Sequence, residues 1–316
     1  MPKPDVRSRP HPRPARAFLV LFLAFLPRLA AEARFAVATY NVENYLLADA
    51  GTRRAKPEAS RAQIAAALAA IRPDVVALQE IGGEPALADL QSRLRAAGLD
   101  LPASAIAHGP DTNIQIALLS RFPVVGSRAH TNDSYLLDGR RRRVARGFLE
   151  AEIAVAPRYR LVVLAAHLKS KRVAVDAAES ELRENEARLL REHVDALLRR
   201  EPDANIVVCG DLNDTPDSRP IRLVMGSGTR ALVDTRPCEP NGDPVTATGA
   251  RQRPRRVAWT HHFGQEDTYS RLDYLLLSRG LAREWLPERT RVFVQPNWGL
   301  GSDHRPIVAE FLAGDR

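Results

Sequence analysis

A chain of 316 residues with 45% hydrophobic residues is ordinary for a globular protein, as one large domain or two small ones. Its formal charge of +8 suggests a nucleic-acid binder until the position of the basic residues is considered. Cys209 and Cys238 form no CxxC pair and no Cys/His cluster, so nothing points to a thiolate zinc site.

The N-terminus accounts for most of the charge. Lys3, Arg7, Arg9, Arg13 and Arg16 precede an apolar run, Ala17 to Leu26, too short to span a bilayer comfortably. Small residues follow in Leu29 to Ala33. This order predicts a secretory signal peptide over residues 1–31; the alternative is an uncleaved membrane anchor. Cleavage after Ala31 would remove six Lys/Arg and one Asp, taking the charge from +8 to +3. The mature domain would be 32–316, secreted or periplasmic, and its charge says little about substrate. Export permits a disulfide. Cys209 nevertheless reads as a buried strand thiol, which favours two free cysteines.

Phe35 to Thr39 predicts a strand leading into Tyr40-Asn41-Val42-Glu43-Asn44. Ile64, Leu68 and Ile71 mark a helix over Pro57 to Ile71. Asp74 to Leu78 is a strand that delivers Gln79 and Glu80. A second helix runs over Glu84 to Ala97, with Gly98 as its stop. Ile114 to Ser120 is a strand. Gly147 to Val155 and Leu161 to Ala166 form a hairpin that delivers His167. A long helix over about Val175 to Arg199 carries Leu182, Leu189, Leu190, Val194 and Leu197 on one stripe.

Ile206 to Cys209 is a buried strand ending at Gly210, with Asp211 and Asn213 two apart. They could be ordinary turn formers, or a carboxylate and amide that hold a cation or water. A short helix follows near Arg219 to Met225, capped by Ser218. Arg236 to Arg256 predicts a surface loop. Strands are expected at Ala258 to Phe263, Ser270 to Ser278, Arg291 to Val294 and Pro306 to Leu312. One domain mixing strands and helices fits this order.

Polar groups of one kind cluster at strand ends: Asn41 and Glu43, Glu80, His167, Asp211 and Asn213, Asp273, and Asp303 with His304. Charges inside or beside apolar strands are costly unless paired or metal-bound. Gathered at one rim, these would form a hard-cation site with two imidazoles, the outline of phosphoester hydrolysis.

Six pieces occur in order: Asn41-Val42-Glu43, Gln79-Glu80, His167-Leu168, Gly210-Asp211-Leu212-Asn213, Arg271-Leu272-Asp273-Tyr274 and Ser302-Asp303-His304. Through them the chain resembles the endonuclease/exonuclease/phosphatase superfamily, over about residues 35–312. The resemblance implies an α/β fold, the four-layer α/β/β/α sandwich of deoxyribonuclease I. It implies a divalent cation, usually magnesium with manganese or calcium as alternatives, held chiefly by Glu80 with Asn41 and Asp303 close by. Asp211 would orient or deprotonate the attacking water, and Asn213 would hold the phosphate. His304, paired with Asp273, would bind or protonate phosphoryl oxygens, and His167 would face it from the other sheet. The acid and base roles stay open between Asp211 and the histidines. Glu43 stands where the family often has Asp or Asn, and either reaches the metal or supports Asn41.

Arg146 and Lys169 are the expected substrate contacts, with Lys171 and Arg172 nearby. Arg140 to Arg143 is either a phosphate-backbone contact or a solvated loop. Trp298 is a packing residue or a base-stacking one. His261 and His262 carry no assigned role. The expected function is an exported metal-dependent phosphodiesterase, with nucleic acid favoured as the phosphoester substrate and no stable protein partner implied. A phosphatase or phospholipid-head-group hydrolase is the alternative. A catalytically silent binding fold would predict losses among Glu80, Asp211, Asn213, Asp273 and His304, and all five are present.

Overall fold

A computed structural model describes residues 1–2, 33–171, 178–240 and 256–314. The chain divides into Met1–Ala31 and Glu32–Arg316, and the second unit is the one followed below. Nearly all of the expected signal peptide, Arg172, and residues 241–255 of the expected loop lie outside the described residues.

Strand β1 (Ala33–Tyr45) precedes α1 (Glu58–Ile71), β2 (Val75–Ile81) and α2 (Glu84–Ala96). Then come β3 (Ala103–Ala107), β4 (Gln115–Ser120), β5 (Val124–His130), β6 (Ser134–Leu137) and β7 (Arg140–Arg143). The expected hairpin is β8 (Phe148–Ala156) with β9 (Tyr159–His167), followed by α3 (Glu179–Arg200), β10 (Ile206–Asp211) and α4 (Arg219–Met225). The remainder is β11 (Val233–Asp234), β12 (His261–Phe263), β13 (Thr268–Ser270), β14 (Asp273–Leu277), α5 (Arg279–Ala282), β15 (Trp285–Val292), α6 (Trp298–Gly301) and β16 (Ile307–Ala313).

Two six-stranded sheets form, in the orders β15-β16-β1-β2-β4-β3 and β11-β14-β10-β9-β8-β5. Their inner faces meet through Phe35, Val37, Val75 and Ile116 against Ile153, Val163, Val207 and Leu275. Outside the first sheet, Ile64, Leu68 and Leu90 of α1 and α2 pack on Tyr40, Val76 and Leu78. Outside the second, Leu190 and Val194 of α3 and Ile221 of α4 pack on Leu164, Val208 and Tyr274. This is the four-layer α/β/β/α sandwich. The central strands are covered on both faces, which is why β2, β9 and β10 read as near-continuous apolar runs. Each fully buried Val or Leu contributes about 2 kcal/mol. Cys209 is buried inside β10, and both cysteines are free.

Several elements differ from the sequence expectation. β1 runs on through Asn41 to Tyr45, because Tyr40, Val42 and Tyr45 are buried while Asn41 remains in the ladder with β2. β3 and β5 to β7 were not expected. β5 pairs only with β8 at the edge of its sheet, and its mostly exposed residues show no apolar alternation. The arginine run is a strand, not a loop. It pairs with Ser134 to Leu137 across Asp138 and Gly139, whose φ values of +51° and +72° suit a tight Asp-Gly hairpin turn. The expected strand Ser270 to Ser278 breaks at Arg271 and Leu272, where the Thr260 hydroxyl accepts Leu272 N and Asp273 N at 3.0 and 3.1 Å. Ser218 caps α4 as expected, its hydroxyl accepting Ile221 N at 3.5 Å.

Gly210 fixes the end of β10. Its φ is +130°, and a Cβ there would lie 2.0 Å from the Ala166 carbonyl oxygen of β9. Only glycine brings the two backbones this close just before Asp211. Gly210→Ala is expected to lower stability by about 3 kcal/mol, read from denaturant midpoints. A change within about 0.5 kcal/mol, typical of a neutral surface site, would contradict this account.

Candidate active site

Three strands of the second sheet place one row of ionisable side chains. Asp211 ends β10, and in register it lies opposite His167 on β9 and Asp273 on β14. The first sheet faces this row with Asn41 on β1, Glu80 on β2 and His304 just before β16. The β1–β2 register shifts between Asn41 and Tyr45, and β2–β4 shifts between Leu78 and Ile81. Such bulges re-aim side chains at a sheet edge. Glu43, Asn44, Glu80 and Asn213 all hold positive φ, between +43° and +67°. Non-glycine residues avoid that region, at a cost on the order of 1 kcal/mol each, and the strain gathers at this rim.

Asn41 is the hub. Its amide nitrogen donates to Asp211 Oδ2 at 3.0 Å and Glu80 Oε1 at 3.3 Å, and lies 3.5 Å from His304 Nε2. Its oxygen accepts Glu43 N at 3.0 Å. The same Asp211 Oδ2 lies 3.4 Å from His167 Nε2 and 3.6 Å from His304 Nε2. His304 Nδ1 meets Asp273 Oδ2 at 2.8 Å. Ser302 locks the His304 turn, its hydroxyl donating to Asn41 O and accepting His304 N. Glu80 is held from behind by Asn44 N at 2.9 Å.

Burial pushes the Asp211 carboxyl up to about 6; the His304 imidazole opposes that rise and the Asp273 carboxylate adds to it. Burial alone would depress His304, but Asp273 and Asp211 outweigh it and hold the imidazole well above its ordinary value. Burial also works against ionisation of Asp303, yet His261 and His304 keep its carboxyl below the usual range. An acid raised and an imidazole raised, in contact, form a pair able to pass one proton.

Comparison with known proteins bears on the family and the fold. The model of the Endonuclease/Exonuclease/phosphatase family matches residues 38–304. The chain belongs to that family. Its members are phosphoesterase-type hydrolases that generally use a divalent metal, and the chain has the deoxyribonuclease-I-like fold. Similar solved structures include truncated Caenorhabditis elegans TDP2, with a TM-score of 0.58, 17% identity, and coverage of 89% of this chain and 98% of that one. The human Nocturnin catalytic domain with bound sulfate gives 0.59, 17%, 89% and 96%. Sphingomyelinase C from Streptomyces griseocarneus gives 0.58, 19%, 88% and 99%. A search of curated proteins finds no match.

The structure brings together the family-motif residues Asn41, Glu80, His167, Asp211, Asn213, Asp273, Asp303 and His304. Asn213 donates its amide to Leu168 O at 3.0 Å and to Asp211 Oδ2 at 3.2 Å. Arg146 is buried beside it, donating to the same Leu168 carbonyl at 3.1 Å. Lys169 stands further out, its ammonium donating to Ser170 O at 3.2 Å. Glu43 supports its neighbours, accepting Asp303 N at 3.2 Å and lying 3.7 Å from Lys56 Nζ. Trp298 packs edge-on against Trp259, with ring centroids 5.1 Å apart.

Sequence reasoning missed His261. It bridges the backbone of His304, its Nε2 lies 3.6 Å from Asp303 Oδ2, and its ring is 4.5 Å from that of His304. The only signal was an adjacent histidine pair near the Arg271-Leu272-Asp273 motif. Glu186 of α3 was missed too. This buried carboxylate accepts Ala145 N at 3.1 Å and Lys169 N at 2.6 Å, holding two loops of the rim.

The donor set fits a hard divalent cation. Glu43, Glu80, Asp211 and Asp303 crowd one cleft with Lys56 as a nearby ammonium, and burial together with the Asp303 carboxylate raises Glu43. That concentration of carboxylates favours a cation, and oxygen donors suit magnesium-like ions. Glu43, Asp303 and Glu80 are its more accessible carboxylates, at 42%, 39% and 17% side-chain exposure, and Glu43 is already engaged by Asp303 N and Lys56. Asn41 presents its amide nitrogen to the carboxylates, so its ligation requires the amide to turn over.

The raised His304 makes a prediction about stability. With a folded value above the unfolded one near 6.5, its pairing stabilises the fold fully below about pH 6.5 and is lost as pH rises through the folded value. His304→Gln should cost about 3 kcal/mol near pH 6 and progressively less at alkaline pH, in thermal melts of the metal-free protein. A penalty that stays constant to pH 10 or so, the lysine range, would refute the assignment.

Proposed function

We propose that this protein is an exported, magnesium-dependent phosphodiesterase acting on nucleic acid. The observation that carries the reading is Asp211 Oδ2, which has imidazole nitrogens at 3.4 and 3.6 Å and an amide donor at 3.0 Å. A buried carboxyl near 6 is matched to accepting a proton from water around neutral pH. Asn213 and Asn41 orient that carboxylate. His304, kept cationic by Asp273, sits where a phosphoryl oxygen needs neutralisation or a leaving oxygen needs a proton. His167 stands across Asp211 and shares the acid and base work with it. Glu80 and Asp303 would hold the cation, which when bound neutralises charge on the phosphoester. Arg146 lies at the same edge, where an anionic chain would pass.

Nucleic acid is favoured by the exposed arginines of β7 and by Trp259 and Trp298 beside the Asp303 loop. Cationic and aromatic groups together suit a strand with bases. Phospholipid head groups are the second reading, supported by Phe263, Tyr269 and Leu300, which are 38%, 52% and 51% exposed around the same rim. Export rests on the basic and apolar pattern of residues 1–31.

The test is a nicking assay of residues 32–316 on supercoiled plasmid, with magnesium or with chelator. Magnesium-dependent nicking is expected, and Asp211→Ala should lower the rate by about a thousandfold. Cleavage of phospholipid vesicles without nicking would transfer the proposal to the second reading. Loss of neither activity in Asp211→Ala would sink the proposed role of that residue.

A further inference from the structure

A second cluster lies outside the catalytic row. His130 ends β5, Asp133 lies in the turn after it, and His193 is on α3. One donor atom from each falls within 4.8 Å of the others. His193 Nε2 is 2.5 Å from Asp133 Oδ2, and the two imidazole rings are 3.8 Å apart at 36°. His130 Nε2 is engaged by Glu150 Oε2 at 2.9 Å, on the adjacent strand β8. In a neutral ring that bond takes the proton at Nε2 and leaves Nδ1 as the lone-pair nitrogen. A carboxylate behind a histidine is the arrangement that orients a metal-binding imidazole.

We propose that His130, Asp133 and His193 bind a borderline transition-metal ion of the zinc class, at a site separate from the catalytic cleft, with Glu150 orienting His130. Two imidazoles and one carboxylate suit zinc and do not suit magnesium. A fourth position remains for water. His193 and Asp133 are each 22% exposed, which leaves an entry path, and Phe148 shields the His193 ring edge-on at 5.8 Å. The ion would cross-link β5 to α3, joining groups 60 positions apart in sequence. It would also brace the foot of the arginine hairpin. Asp133 O accepts Val144 N at 3.0 Å, Ala145 N reaches Glu186, and Arg146 reaches Leu168 O. Metal at this site therefore steadies the segment that carries Arg146. The competing account is a hydrogen-bonded His-Asp-His stack that needs no ion.

The experiment strips the purified protein with chelator, restores magnesium in excess, and titrates zinc by calorimetry, with cobalt as an absorbance probe. One zinc equivalent is expected in the wild type and in His304→Gln, which disables the catalytic imidazole cluster. His193→Gln should weaken zinc at least about a hundredfold and abolish both the zinc-dependent rise in melting temperature and the cobalt visible band. Asp133→Asn keeps the side-chain volume and serves if His193→Gln does not fold; the same losses are expected of it. Equal zinc affinity in the wild type and the folded variant would overturn the proposal, as would loss of the zinc equivalent in His304→Gln alone.

Discussion

Asp211 is almost wholly buried at the end of β10, and a carboxyl taken out of water needs donors or a proton. The donors come from both sheets. His167 belongs to the second sheet and Asn213 to the turn that leaves it; Asn41 and His304 belong to the first or to its approach. Closing the sandwich and satisfying Asp211 are therefore one event. The apolar interface of Phe35, Val37, Val163, Val207 and their neighbours supplies the stability against which this polar burial is tolerated. The strained backbone at Glu43, Glu80 and Asn213 is carried by the same surplus.

Helix α3 does more than cover a sheet. Arg183 pairs with Asp214 at 2.9 Å and donates to Lys169 O at 3.0 Å. Glu186 receives the backbone of Ala145 and Lys169, and His193 meets Asp133. One helix thus holds the loops after β7, β9 and β10, the segments that carry Arg146, Lys169 and Asn213. A second brace is Arg305, next to His304. It is buried, pairs with Glu239, and lies 3.2 Å over the ring of Trp259. Most groups of the candidate site, Asn41, Glu80, His167, Asp211 and Asp273, sit on strands, which keeps their geometry rigid, and the outer layer sets the loops around them.

The fold does not choose a substrate. The candidate site is the row from His167 through Asp211 to Asp273 and the groups that face it. Two excursions leave the main sheets: the β6–β7 arginine hairpin and the β12–β13 hairpin, which carries His261 inward and Tyr269 outward. The inward His261 reaches Asp303, so rim and centre are coupled through one short hairpin.

The sequence by itself determined the elements whose signal is local. Apolar runs at Val75 to Leu78, Leu161 to Ala166 and Ile206 to Cys209 marked the central strands, because a strand covered on both faces needs no polar alternation. Ser218 announced its helix, and six short motifs in order identified the family and the candidate cluster. The tertiary structure decided what depends on partners distant in the chain. The register shifts that aim Glu80 and seat Asn41 between carboxylates, the pairing of His261 with the His304 turn, the edge strand β5, and the meeting of His130 with His193 all join segments that no periodicity links. Hydropathy reports what a residue's neighbours in sequence bury; only the closed sandwich fixes which remote side chains must share a buried charge.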